Sequence, residues 1–194
     1  MATNAIKKES IVFTAIDLIN EYGIQAVSTR EVAKRLDISQ GTVFQYFSKK
    51  NDLLKAVLDH FSLYDNDLYN SAKARKTGRK EALIYYLDSY ALYYENYPEI
   101  TAVMQAFDVL RDDPDLGGQV KSIYQKRETF MRELVDDAII SGTLRKDIGS
   151  EAMSGIFTAV LRGMILKWRM ENCGFPLRAE TMKTVGVLLE AFSV

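Results

Sequence analysis

Apolar residues recur along this chain at spacings of three and four, and few runs alternate with a period of two. That pattern predicts an all-α fold. A first helix is expected over residues 5–22, because Ile11, Ala15, Leu18, Ile19 and Tyr22 fall on one face and Gly23 supplies a C-terminal stop. Ile24, Ala26 and Val27 form an apolar plug. Ser28 or Thr29 then caps a short second helix, and Ser28 with Glu31 three residues on has the form of a capping box. Val32, Ala33 and Leu36 are its inward positions. Asp37 and Ile38 make a turn, and Ser39 caps a third helix over 40–47 with Val43 and Phe47 facing inward. A fourth helix starts near Ser48 or Lys49 and continues through Leu53, Leu54, Val57, Leu58 and Phe61.

The remaining chain predicts further helices over 79–96, stopped by Pro98, and over 100–110. A long helix over 116–141 follows Pro114, although the Gly117-Gly118 pair leaves its start open. Gly142 and Gly149 bracket a turn, Ser150 caps a helix reaching 172, Gly174-Phe175-Pro176 breaks it, and a last helix spans 178–192. There are no repeats or low-complexity segments. The expected organisation is an N-terminal three-helix head with a helix-turn-helix, residues 1–50, on a larger helical body for ligand binding and dimerisation, residues 51–194.

Residues 28–47 meet the requirements of a helix-turn-helix: two short helices, a tight turn and an apolar inner face. With Val43 and Phe47 inward, Gln40, Gly41, Thr42, Phe44, Gln45 and Tyr46 turn outward or sideways. A glutamine can bond the major-groove edge of adenine at two atoms, and Phe44 can press on a thymine methyl. Gly41 lets the backbone approach a duplex closely. The Thr42 and Tyr46 hydroxyls suit phosphate oxygens, Arg30 suits a guanine edge or a phosphate, and the Lys50 ammonium suits a phosphate.

These residues resemble the TetR family of bacterial regulators. The resemblance covers the apolar frame of the first helix from Ile11, then Gly23, Ser28-Thr29-Arg30-Glu31-Val32-Ala33, Leu36, Ile38-Ser39, Gly41-Thr42-Val43-Phe44, Tyr46-Phe47 and Lys50 through Leu53. It implies phosphate contacts at Thr29, Thr42, Tyr46 and Lys50, with Arg30, Gln40, Phe44 and Gln45 nearest the bases. The full expected DNA-binding set also includes Ser28 and Gly41. Two positions depart from the family pattern: Lys49 replaces a frequent Ser or Asn cap, and Gln45 replaces a frequent basic or aromatic residue.

Charge adds a constraint. The chain carries a formal net charge of −1. Over residues 1–50, Lys7, Lys8, Arg30, Lys34, Arg35, Lys49 and Lys50 oppose Glu9, Asp17, Glu21, Glu31 and Asp37, an excess of +2. Residues 39–47 carry no charge, so attraction to phosphates must come from lysines and arginines outside the third helix. One cysteine, Cys173, cannot form an intrachain disulfide, which fits a reducing cytoplasm. Lys7, Lys8 and Glu9 interrupt any early apolar stretch, so no signal peptide is expected, and no run is long enough to predict a membrane span. His60 is the sole histidine and has no cysteine or carboxylate cluster at ligand spacing, so no metal, cofactor or catalytic constellation is expected.

In the body, Tyr86, Tyr90, Tyr93 and Tyr97 share one helical stripe. With Met104, Phe107, Phe130, Leu134, Phe157, Leu161, Met164 and Trp168 they could line an apolar pocket with polar handles, for a small-molecule effector of apolar or aromatic character. Ala152, Ile156, Ala159, Val160 and Gly163 give one late helix a face of small and aliphatic residues. Val185, Leu188, Leu189 and Phe192 stripe the last helix. The family resemblance implies a homodimer through these two segments, and two-fold symmetry implies a palindromic double-stranded operator. The expected function is a non-enzymatic transcription regulator, a repressor released by its effector. The alternatives are an activator or DNA-organising regulator without a ligand, and a helical protein-interaction module.

Overall fold

The computed structural model describes residues 2–76 and 78–194, with side chains from residue 7 onward. Its α-helices in chain order are α1 (Ala2–Tyr22), α2 (Thr29–Arg35), α3 (Gln40–Phe44), α4 (Lys50–Phe61), α5 (Asp65–Lys73), α6 (Arg79–Asn96), α7 (Thr101–Gln105), α8 (Phe107–Leu110), α9 (Gly117–Ile140), α10 (Ser150–Met170) and α11 (Leu177–Phe192). Short 3₁₀ turns occupy Ile24–Ala26 and Pro98–Ile100. Among the described residues the only β pairing is an isolated antiparallel bridge between Leu144 and Ser193. No described helix is long and apolar enough to cross a membrane.

The contacts divide the chain into two units, residues 1–63 with 99–123, and residues 64–98 with 124–194. That division differs from the one expected at residue 50. In the first unit α4 packs on α1, and α7 packs on both, so residues beyond the three-helix head complete its core. Ile11, Ile16, Val43, Leu53, Leu58 and Ile100 are fully enclosed there, and the Phe61 and Phe107 rings meet edge to face at 5.2 Å. In the second unit α11 packs along α6 and α10, and α5 also packs on α6. Arg178 ties α11 to α6 through both guanidinium bonds to Asp88 at 2.7 Å, while its backbone N–H donates to Glu95.

Several boundaries follow local chemistry that the apolar pattern does not register. α3 stops at Phe44 instead of 47, because the Tyr46 and Phe47 N–H groups both turn back to the Val43 carbonyl. Phe47 nevertheless stays in the core. The segment expected as one helix over 100–110 breaks at Ala106, whose N–H is shared between the Ala102 and Val103 carbonyls. α5 has no predicted counterpart, since its sequence DNDLYNSAK offers too few apolar positions to make a stripe.

Candidate nucleic-acid interface

The helix-turn-helix is built from two capped helices and one left-handed residue. Ser28 Oγ accepts the Glu31 N–H at 3.1 Å, and Ser39 Oγ accepts the Thr42 N–H at 3.1 Å, so each helix has an oxygen on a first-turn donor. Between them Asp37 adopts a φ of 52°, and the Ile38 N–H reaches back to the Ala33 carbonyl at 3.0 Å. This six-residue closure ends α2 and aims the chain into α3. Val32, Ala33, Val43 and Phe47 anchor the pair from beneath.

The expected contact residues fall into two groups. Arg30, Gly41, Phe44 and Gln45 are exposed, with Phe44 at 47%. A phenylalanine this open on a five-residue helix gains little from the protein's own core. The others are engaged locally. Gln40 is exposed, but its amide nitrogen donates to Thr29 Oγ1 at 3.0 Å, and Thr29 is buried. These two side chains therefore position each other, fixing the start of α3 on the start of α2. Thr42 Oγ1 and Ser39 Oγ share a hydrogen bond at 2.9 Å. Tyr46 is half-buried. The Lys50 ammonium, half-buried, donates to the Ile24 carbonyl at 3.2 Å, and burial lowers its pKa.

The cations expected to attract phosphates are not equivalent. Arg35 forks onto Glu21, which draws that carboxyl below its usual range. Lys49 pairs with Asp115 at 3.0 Å. Arg30 and Lys34 are exposed and make no ion pair among the described residues. Lys8 lies with its ammonium 5.8 Å from the Phe47 ring centroid. At the N-terminus of α4, Asp52 accepts the Lys49 N–H at 3.2 Å and the Ser48 hydroxyl, so Asp52 and Ser48 replace the missing Ser or Asn cap.

The second unit rearranges the expected pocket residues. Tyr86, Tyr90 and Tyr94 form the buried tyrosine row, with Tyr93 and Tyr97 half-buried beside it. Met104 and Phe107 belong to the first unit, where both are buried. Phe130 stacks on Tyr69 at 3.9 Å, Trp168 Nε1 donates to the Phe175 carbonyl at 2.8 Å, and Leu134, Phe157 and Leu161 are core while Met164 is half-buried. Sequence reasoning missed the charged centre of this region. Asp65 accepts both Arg127 Nε and Nη2 at 2.8 Å and the Tyr90 hydroxyl at 2.7 Å, while Arg127 Nη1 donates to Tyr94 at 3.0 Å. The Tyr86 and Tyr93 hydroxyls are buried without a hydrogen-bond partner among the described residues, and burial pushes the Tyr93 phenol up to about 12. Tyr93 also lines a recess of about 310 Å³ with Tyr64, Asp67, Leu68 and Ser71.

The residues of the expected dimer face differ in exposure. Val185, Leu189 and Phe192 are buried within their own unit, and the Phe192 ring packs edge-on against Phe157 at 5.7 Å. Leu188 and Val160 are half-buried. Ile156, Ala159 and Gly163 are exposed, and their stripe extends along α10 to Ala152, Gly155, Leu166 and Met170.

A capped helix-turn-helix on an otherwise helical chain defines a DNA-binding regulator. Residues 11–57 match the family model described as bacterial regulatory proteins, tetR family. A nucleoid occlusion factor, SlmA, of Glaesserella parasuis is 22% identical over 171 residues, covering 87% of this chain and 84% of its own. The class C tetracycline repressor protein of Escherichia coli is 27% identical over 123 residues, covering 59% of this chain and 56% of its own. The ketosteroid transcriptional regulator KstR2 of Mycobacterium tuberculosis shares the fold with a TM-score of 0.83 at 13% identity, over 97% of this chain and 95% of that one. Residues 11–57 thus belong to the tetR family of bacterial regulatory proteins, and the chain as a whole has the fold of a helical transcriptional regulator.

Proposed function

We propose that this protein is a dimeric repressor whose two heads read a palindromic operator and which a largely apolar small molecule releases. The observation that carries this reading is the uncovered face of α10. Ala152, Gly155, Ile156, Ala159, Gly163, Leu166 and Met170 are all exposed and recur at helical spacing for the length of the helix. A continuous apolar stripe of small residues invites close approach of a second helix, and a two-fold pair of heads calls for two-fold DNA. The effector is supported by the buried Tyr86 and Tyr93 hydroxyls, which a ligand with one hydrogen-bonding group on an apolar frame would satisfy. The name of the KstR2 neighbour associates that protein with ketosteroids, which are of this chemical kind.

The base contacts are assigned to Arg30, Phe44 and Gln45, with phosphate contacts at Thr42, Tyr46 and Lys50. Gln40 and Thr29 hold the recognition helix in register. Selection of a binding sequence from a random duplex pool tests the assignment. Phe44→Ala and Gln45→Ala are each expected to weaken binding to the selected site about 10- to 100-fold, as loss of a specific base contact does. Unchanged affinity in both variants rejects α3 as the reader.

A second reading is favoured by a relative that aligns over most of both chains and bears the name of a nucleoid occlusion factor. In it the protein organises DNA at many sites and needs no effector. Mapping occupied sites across the chromosome separates the two: a few sites at promoters fit the repressor, and many dispersed sites fit the organiser.

A further inference from the structure

Two lysines stand at the start of α4, within three residues of Phe47, and both ammonium groups rest on protein oxygen atoms. Lys50 is turned onto a backbone carbonyl and is half-buried. Lys49 is exposed, and its partner is the carboxylate of Asp115, whose same oxygen accepts Asn51 Nδ2 at 3.0 Å. Four aspartates lie between residues 108 and 115, and they do different things. Asp108 and Asp112 face Arg111 at 3.4 and 3.7 Å. Asp113 Oδ1 accepts the N–H groups of Asp115 and Leu116 at 2.8 and 3.1 Å, and so shapes the turn into α9, and it also accepts Asn51 Nδ2 at a longer 3.4 Å. Asp115 alone of the four forms an ion pair with α4 among the described residues.

A carboxylate held by one ammonium and one amide N–H makes the same contacts as a DNA phosphate: a single negative charge and acceptor oxygens. The place also suits a phosphate, because it follows the recognition helix directly in the chain and Lys49 is exposed there. We propose that Lys49 and Asn51 form a DNA-phosphate contact which Asp115 occupies when no DNA is bound, so that the DNA backbone and this carboxylate compete for the same two side chains. The proposal rests on the DNA-binding reading of the head. Exposed pairs of this kind are weak, so the duplex can displace Asp115 and yet the carboxylate still subtracts from the net affinity. The surrounding hydrogen bonds agree with an intact pair: Asp115 holds Lys49 above the ordinary lysine range, and Asn51 and Lys49 hold the Asp115 carboxyl below its own.

The test is a salt titration of the full chain with a random-sequence duplex, read by fluorescence anisotropy. Asp115→Asn is expected to bind roughly two- to five-fold tighter, the worth of one exposed pair. Asp112→Asn removes the same charge from the same segment without touching Lys49, and should gain clearly less. Adding Lys49→Gln to Asp115→Asn should cancel the gain and lower the slope of log K against log salt by about 0.9 for each head, one phosphate's share. Equal gains from Asp112→Asn and Asp115→Asn would show only a change in overall charge and overturn the proposal. Unchanged or weaker binding by Asp115→Asn would also overturn it, reducing the pair to a strut for α4. A wild-type chain that binds no duplex would instead reject the DNA-binding reading beneath it.

Discussion

Asp65 is 2% exposed and accepts three hydrogen bonds, two of them from Arg127. A buried carboxylate depends on its cation, because removing one partner strands the other's charge in a medium that solvates it poorly. Arg127→Leu is therefore expected to cost about 3–5 kcal/mol in urea unfolding. The double variant Arg127→Leu with Asp65→Asn should cost less than Arg127→Leu alone, since no charge is then left behind. His60 makes a second residue-scale prediction. Burial lowers its pKa below 6.5, against a smaller opposing effect from Glu9. The folded state then binds fewer protons than the unfolded one below pH 6.5, so stability rises with pH through that window. His60→Gln should remove this dependence: the stability of the variant relative to wild type should climb as pH falls from 6.5 toward the depressed value, and stay flat well above pH 6.5.

At the scale of elements, the start of α9 shows how two adjacent glycines differ. A Cβ on Gly117 would stand 2.3 Å from the Arg111 carbonyl oxygen, whereas one on Gly118 meets nothing within 4 Å. Gly117→Ala must push backbone away and is expected to destabilise by about 1–3 kcal/mol. Gly118→Ala fills open space in a helix and is expected to stabilise by roughly 0.5–1 kcal/mol. Thermal unfolding of the two variants, with shifts of opposite sign, checks the pair. The sequence shows two glycines and cannot distinguish them, because the difference lies in a carbonyl folded back from residue 111. The same limit runs through the rest of the molecule. Helices with a strong apolar stripe and a clear stop, such as α1 before Gly23 or α6 before Pro98, are legible from periodicity. α5 is not, for its main contribution is the single acid Asp65, whose partners lie 25 and 62 residues away. The recognition frame Ser28, Ser39, Val43 and Phe47 is legible because capping and core positions are local. That Gln40 bonds Thr29, and that Lys49 bonds Asp115, depends on contacts 11 and 66 residues apart. In the last helix the stripe Val185, Leu189 and Phe192 is legible and is buried, but periodicity does not say whether a stripe meets its own chain or another.

At the scale of the whole molecule, the proposed dimer rests on the face of α10 that its own chain leaves uncovered. Gly155 and Gly163 have open space where a side chain would begin, and Ala159 lies between them on the same exposed stripe. A substitution there can disturb an intermolecular contact without disturbing the fold. Ala159→Glu places a charge at the centre of that face, and burying an unpaired carboxylate against a second copy is costly. The expected outcome is a folded monomer: unchanged helicity and an unchanged unfolding midpoint measured at low concentration, with half the mass by light scattering. DNA binding should then separate into its parts. A single head keeps its own base contacts but loses the second set, so the salt dependence on a palindromic duplex should fall to about half the wild-type slope. Affinity for a half-site should stay near that of one wild-type head. If Ala159→Glu remains dimeric, the interface lies elsewhere and the α10 stripe needs another occupant. If it becomes monomeric yet binds the full palindrome with the wild-type slope, the pairing of heads is not what joins this protein to its operator.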